Sequence, residues 1–156
     1  MANDPVTLDL PSETDTIELA TRLAPLLRVG DILLLEGAIG SGKTAFCRAL
    51  IRARLGRMED VPSPTFTLVQ TYDDKNGDIW HCDLYRLTHP DEAFELGLAD
   101  AFTSAICLIE WPDRLGRDTP INAAQLSFST RDNSHQVSIL LPTEMDARLS
   151  KSIRNA

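Results

Sequence analysis

The chain has three cysteines, no Lys/Arg run and no long apolar stretch, and each shortage removes a class of protein. Cys47, Cys82 and Cys107 lie far apart and form no C-x-x-C pair, so neither a disulfide framework nor a zinc site is implied. Reduced core cysteines are expected instead. No apolar segment approaches the roughly 20 residues that a membrane span needs. The opening Met1-Ala2-Asn3-Asp4-Pro5 lacks the basic and apolar regions of a signal peptide, so a soluble cytoplasmic protein without membrane attachment is expected. With 15 basic against 23 acidic residues the net charge is −8, which argues against independent binding to RNA or DNA. The densest basic segment, Arg48, Arg52, Arg54 and Arg57, reads as a solvated helix face with cations near the helix C-terminus. Internal repeats, linkers and low-complexity tracts are also missing, and 156 residues fit a single domain, 1–156, able to bury a core without staples.

What is present begins with Gly37-Ala38-Ile39-Gly40-Ser41-Gly42-Lys43-Thr44, the phosphate-loop pattern G-x-x-x-x-G-K-[ST]. Ahead of it, Asp31-Ile32-Leu33-Leu34-Leu35 is a short apolar run behind a turn-forming Gly30, as expected for a parallel strand buried on both faces. Behind it, Phe46, Leu50, Ile51 and Leu55 recur at helical spacing, and Gly56 supplies the stop. The chemistry needs these residue types, because a triphosphate must be wrapped by backbone N–H groups with no side chain in the way. Gly37, Gly40 and Gly42 keep the loop free of Cβ atoms, and the helix N-terminus offers unpaired N–H groups and partial positive charge. Lys43 can then reach the β and γ oxygens, and the Thr44 hydroxyl can ligate Mg²⁺. The competing reading is a glycine-rich turn that carries Lys-Thr without a ligand.

Along the rest of the chain, Ser12-Glu13-Thr14-Asp15 can cap a helix whose face is Ile17, Ala20, Leu23, Ala24 and Leu27, ending at Gly30. Residues 61–67, with Pro62 and Pro64, form an ordered loop that feeds a strand over 68–72. Asn76-Gly77 marks a turn, so 79–83 returns as an antiparallel strand. A helix over 91–96 is closed by Gly97, and 105–109 is a second buried strand. Residues 125–130 and 136–141 make another hairpin, and a polar helix runs from Thr143 to the end. The fold class is α/β, a phosphate-loop NTPase-like three-layer sandwich with a central, largely parallel sheet and antiparallel hairpin additions.

A phosphate loop needs a carboxylate to complete a Mg²⁺ shell, and that acid usually stands at the end of a neighbouring buried strand. Glu110 follows Cys107-Leu108-Ile109 and fits. Asp83 is the competing acid, either as metal or water-positioning group or as the acceptor in a turn. Thr65, in Ser63-Pro64-Thr65-Phe66-Thr67, lies on a proline-stiffened loop in the chain order of a segment that senses the γ-phosphate, or is part of a structured turn. Trp111 can stack on a ligand or anchor packing. His81 and His89 have no metal-ligand partners at sensible spacing and read as structural or solvated.

Taken in order, the phosphate loop, Ser63-Pro64-Thr65-Phe66-Thr67-Leu68-Val69, His81-Cys82-Asp83-Leu84-Tyr85-Arg86-Leu87 and Ile109-Glu110-Trp111-Pro112 resemble the TsaE family, also called YjeE. The resemblance runs over about two thirds of the chain, residues 10–112. It implies an ATPase needed for the threonylcarbamoyladenosine modification of tRNA, acting with a TsaD and TsaB assembly that holds the tRNA. It further implies that the loop through Ser41 and Ala45 binds ATP or ADP, that Lys43 and Thr44 serve phosphate and Mg²⁺, and that Glu110 is a metal ligand. Asp83, Thr65 and Trp111 then matter for turnover or coupling, and Glu13 contacts the adenine side. Two departures stand out: Asn133-Ser134-His135 replaces a Gly-Arg turn in the last hairpin, and Ala38 replaces a common acid. Neither removes a group the phosphate chemistry needs.

The expected reaction is slow hydrolysis by the chain alone, since the sequence places no obvious arginine finger beyond the candidate Arg86. Two other readings share the loop. A small-molecule kinase would also need an Arg-rich lid, which is not seen between Asp83 and Glu110, and a nucleotide switch would not need Glu110 for turnover. No N-K-x-D-like base-reading segment is present, which leans toward adenine.

Overall fold

A computed structural model describes residues 4–65 and 67–154. In chain order the elements are β1 (Val6–Leu10), α1 (Glu13–Leu23), β2 (Ile32–Glu36), α2 (Lys43–Leu55), β3 (Val69–Tyr72), β4 (Asp78–Asp83), α3 (Pro90–Glu95), α4 (Leu98–Ser104), β5 (Ala105–Glu110), β6 (Ala124–Arg131), β7 (Ser134–Leu140) and α5 (Thr143–Arg154). The strands form one seven-stranded sheet in the order β1-β7-β6-β2-β5-β4-β3. Its centre is parallel, with β2 between β5 and β6 and β4 beside β5. The flanks are the antiparallel pairs β3/β4, β6/β7 and β1/β7. Strand alternation divides the apolar residues between two layers. Leu33, Leu35, Ile106 and Leu108 pack with Leu19, Phe46, Leu50 and Leu149 from α1, α2 and α5. Ile32, Leu34, Cys107 and Ile109 face the other way, toward Ala93, Leu98 and Ala101 of α3 and α4. This is the expected three-layer α/β arrangement with a mostly parallel core.

Several elements differ from the sequence reading for identifiable reasons. α1 stops at Leu23 and continues as a 3-10 turn over Ala24–Leu26, because Pro25 has no N–H to give the helix. Its buried face is Thr16, Leu19, Ala20 and Leu23, so Ile17 is left 43% exposed. β1 and α4 were not anticipated. β1 is an edge strand of five residues in which Val6, Leu8 and Leu10 alternate with exposed Thr7 and Asp9, and it pairs with β7. α4 follows Gly97, whose positive φ restarts the chain after α3.

The basic segment of α2 is not the solvated face expected. The Arg54 side chain is 5% exposed, pairs with Asp74 at 2.6 Å, and donates to the carbonyls of Ala24 and Leu27. Arg48 and Arg52 likewise donate to the carbonyls of Val61 and Glu59. These guanidinium groups donate to carbonyls of the 3-10 turn and of the loops around α2, helping to satisfy backbone acceptors there. On the same 24–27 segment, Arg148 of α5 donates to both Asp31 oxygens at 3.0 and 2.6 Å and to the Leu26 carbonyl. The three cysteines are free and buried.

Candidate functional site

The C-terminal ends of β2, β4 and β5 lie side by side, with Glu110 opposite both Leu35 and Asp83. Ligands of parallel α/β sheets bind in the crevice beyond such strand ends. Alternation places His81 and Asp83 on the face of β4 that carries Ile79, and Glu110 on the face of β5 that carries Ile106 and Leu108. That face is covered by α2. The geometry therefore aims all three side chains at the start of the helix.

Between β2 and α2 the chain makes the turn of residues 37–42. Gly37 has φ 141°, and a Cβ there would sit 2.5 Å from the Phe128 carbonyl oxygen and 2.7 Å from Ser41 Oγ. Only glycine fits that approach. Gly40 and Gly42 also have positive φ, and Gly42 is the residue on which α2 begins. Ser41 is 2% exposed, and its Oγ has no hydrogen-bond partner among the described residues. A buried hydroxyl left this way is a donor ready for an anion.

Lys43 is 4% exposed. Its Nζ donates to the Gly37 carbonyl at 2.6 Å and lies 3.6 Å from the centroid of the Trp111 ring. Burial lowers its pKa, against the opposing pull of Glu110 and then Asp83. Trp111 leaves β5 in the left-handed region at φ 59° and packs against Tyr85 with ring centroids 4.9 Å apart. Thr44, one residue beyond Lys43, donates its hydroxyl to Glu110 Oε1 at 2.9 Å. The other oxygen of Glu110 meets His81 Nε2 at 2.7 Å, with both side chains buried. Asp83 is tied elsewhere: Oδ2 accepts from the Thr65 hydroxyl at 3.1 Å and Oδ1 from the Tyr85 N–H at 3.0 Å. Ser63 and Thr65 hydroxyls are 2.8 Å apart, so a chain of polar groups runs from this loop to Asp83. Phe66 lies outside the described residues.

Most of these groups border a cleft of about 520 Å³. Its lining includes Gly40, Gly42, Lys43, Thr44 and Ala45 from the loop and the first turn of α2, then Thr65, Asp83, Glu110 and Trp111, and Glu13 from the start of α1. Gly37 and Ser41 belong to the same loop without lining the cleft. Arg86 and, from the last hairpin, His135 also border the cleft. The donor set suits a phosphorylated ligand with a hard cation: a hydroxyl and a carboxylate in contact, an ammonium beside them, and a helix N-terminus below.

Sequence spacing missed one participant. His81 was read as lacking metal-ligand partners, yet ligand atoms of Cys47, His81 and Glu110 lie within 4.8 Å of one another. These positions are 29 or more residues apart from Glu110, so only the sheet register brings them together. The available signal was that His81 and Asp83 are two residues apart on one strand and so share a face.

The chain is similar to known proteins over most of its length. The family model for the threonylcarbamoyl adenosine biosynthesis protein TsaE matches residues 10–138. A TsaE of Rickettsia conorii is 36% identical over 144 residues, covering 92% of this chain and 82% of that protein. The TsaE of Haemophilus influenzae is 28% identical over 152 residues, covering 94% of this chain and 96% of its own. Among solved structures, Bacillus subtilis YdiB superposes with a TM-score of 0.81 at 24% identity, covering 99% of this chain and 97% of that one, which shows a shared fold. The matched residues contain every strand from the loop site to β6 and the whole constellation built above, and on that breadth the chain belongs to the TsaE family.

Proposed function

We propose that the chain binds ATP with Mg²⁺ and hydrolyses it to ADP in the service of tRNA threonylcarbamoyladenosine synthesis, working with a TsaD and TsaB assembly. The observation that carries the proposal is the Thr44–Glu110 contact of 2.9 Å beside the buried ammonium of Lys43. A hydroxyl and a strand-end carboxylate at that spacing, at the mouth of a Gly-rich loop, form the pair that shares a cation in phosphate-loop enzymes. Magnesium, when bound, supplies charge neutralisation at the transferring phosphoryl group.

Each side chain then has a defined task. Backbone N–H groups of the 37–44 loop and the first turn of α2 hold the phosphates. Lys43 exchanges the Gly37 carbonyl for phosphate oxygens, gaining charge-assisted hydrogen bonds. Thr44 and Glu110 hold the cation, while Asp83, through its bond to Thr65, orients a water molecule near the γ-phosphate. Trp111 walls the site and Glu13 borders the adenine side. Arg86 is the cleft arginine that could approach developing charge. Hydrolysis by the chain alone is slow, and the assembly accelerates it by ordering the loop that carries Ser63 and Thr65 or by adding a donor. The net charge of −8 leaves tRNA to the partners.

ATP turnover measured for the chain alone and with its own TsaD and TsaB assembly tests this, with Lys43→Ala as the blank. A large partner-dependent rise that the substitution removes is the expected result. Equal turnover in both conditions overturns the coupling, and phosphate recovered on a metabolite points to a kinase.

A further inference from the structure

Glu110 has two carboxylate oxygens with separate duties. Oε1 receives the Thr44 hydroxyl at 2.9 Å, and Oε2 meets His81 Nε2 at 2.7 Å. An ionised carboxylate only accepts hydrogen bonds, so the proton of that second bond sits on Nε2. Among the described residues these are the two hydrogen bonds the carboxylate receives, and the third neighbour, Cys47, offers only a weak S–H donor. His81 has no exposed surface and Glu110 is 2% exposed, so water cannot replace the bond. The other ring nitrogen, Nδ1, is buried without a partner among the described residues. The imidazole is thus committed to Glu110 alone. Its position on β4, which pairs directly with β5, makes that commitment rigid.

We infer that His81 is a positioning residue for the cation: it fixes the Glu110 carboxylate so that Oε1 faces Thr44. Without that donor, Oε2 becomes a buried, unpaired carboxylate oxygen beside Lys43, the group needed for the phosphates, on which the Glu110 charge already acts. Partners that orient a metal-ligating group typically change metal affinity about 10- to 100-fold when removed. The inference rests on the nucleotide reading above, and it assigns to His81 a role in magnesium coupling separate from nucleotide binding itself.

The test measures ADP affinity by calorimetry with Mg²⁺ and with EDTA, in the parent chain and in His81→Leu, His81→Gln and His81→Asn. The Gln amide nitrogen reaches the place of Nε2, whereas that of Asn falls short. With EDTA, all four should agree within about twofold, because the loop is untouched. With Mg²⁺, the parent and His81→Gln should gain affinity, and His81→Leu and His81→Asn should lose at least about tenfold of that gain. If His81→Leu does not fold, the Gln and Asn pair carries the comparison. Equal magnesium coupling in the parent, Gln and Asn chains overturns the inference while leaving the nucleotide reading intact. Absence of magnesium-dependent ADP binding in the parent overturns both.

Discussion

Lys43 sits among groups that pull it in opposite directions. Burial pushes its pKa below the usual 10.5, while Glu110 and Asp83 push back. Under the proposed function phosphate binding needs the charged form, so affinity for ATP should be present at pH values below the lowered pKa of the free protein and lost as pH rises through it. The decline therefore starts at a lower pH than an ordinary lysine would give. Calorimetry from neutral pH toward 10.5 should show this alkaline limb in the parent chain, and Lys43→Ala should lack it. The same substitution removes charge-assisted hydrogen bonds of about 2–3 kcal/mol, a loss in affinity of roughly 30- to 150-fold at neutral pH. The cysteines show the opposite behaviour. Burial raises Cys47 and Cys82 well above the ordinary thiol value and Cys107 to about 12, which keeps all three protonated. Thiolates are the reactive form, so a disulfide reagent at pH 8 should leave the native chain unmodified and titrate three thiols after denaturation.

Among the elements, α5 is docked by Arg148, whose pairing with Asp31 has side-chain exposures of 12% and 7%. Arg148→Met leaves Asp31 buried with less compensation, and chemical denaturation should show a loss of about 2–4 kcal/mol. Combining it with Asp31→Asn should cost less than the two losses added together, because both act on one contact. Gly37→Ala tests the loop in the same way. Its Cβ would meet the backbone of β6, so the variant should lose ATP affinity together with stability. Strands β2 and β5 were legible because a parallel strand buried on both faces leaves an uninterrupted apolar run. α2 was legible from its helical spacing and its two flanking glycines. α4 was not, because it is short and follows α3 almost directly, whereas β1 was overlooked although Val6, Leu8 and Leu10 alternate with Thr7 and Asp9 as in a half-buried strand. Arg54 misled for a related reason: its position on the helix can be counted, but the carbonyls it satisfies come from loops distant in sequence.

For the whole molecule, the net charge bears on the proposed partners. At −8, the isolated chain should show no tRNA retention in a gel-shift experiment at physiological salt, and retention should require the TsaD and TsaB assembly. The site is also a property of the whole sheet. Lys43, Thr44, Asp83 and Glu110 could be named from sequence because each follows or ends a recognisable element. Their division of labour could not, since only the register of β2, β5 and β4 puts Glu110 against Thr44 and His81 and leaves Asp83 to Thr65. Described residues 4–65 and 67–154 include no helix long and apolar enough to cross a membrane. The most direct test of the account is a calorimetric titration of the purified chain with ATP in the presence of Mg²⁺. The account predicts one site per chain, weakened by EDTA and reduced at least about 30-fold by Lys43→Ala. Undetectable binding at millimolar ATP, or binding that Lys43→Ala leaves unchanged, would contradict it.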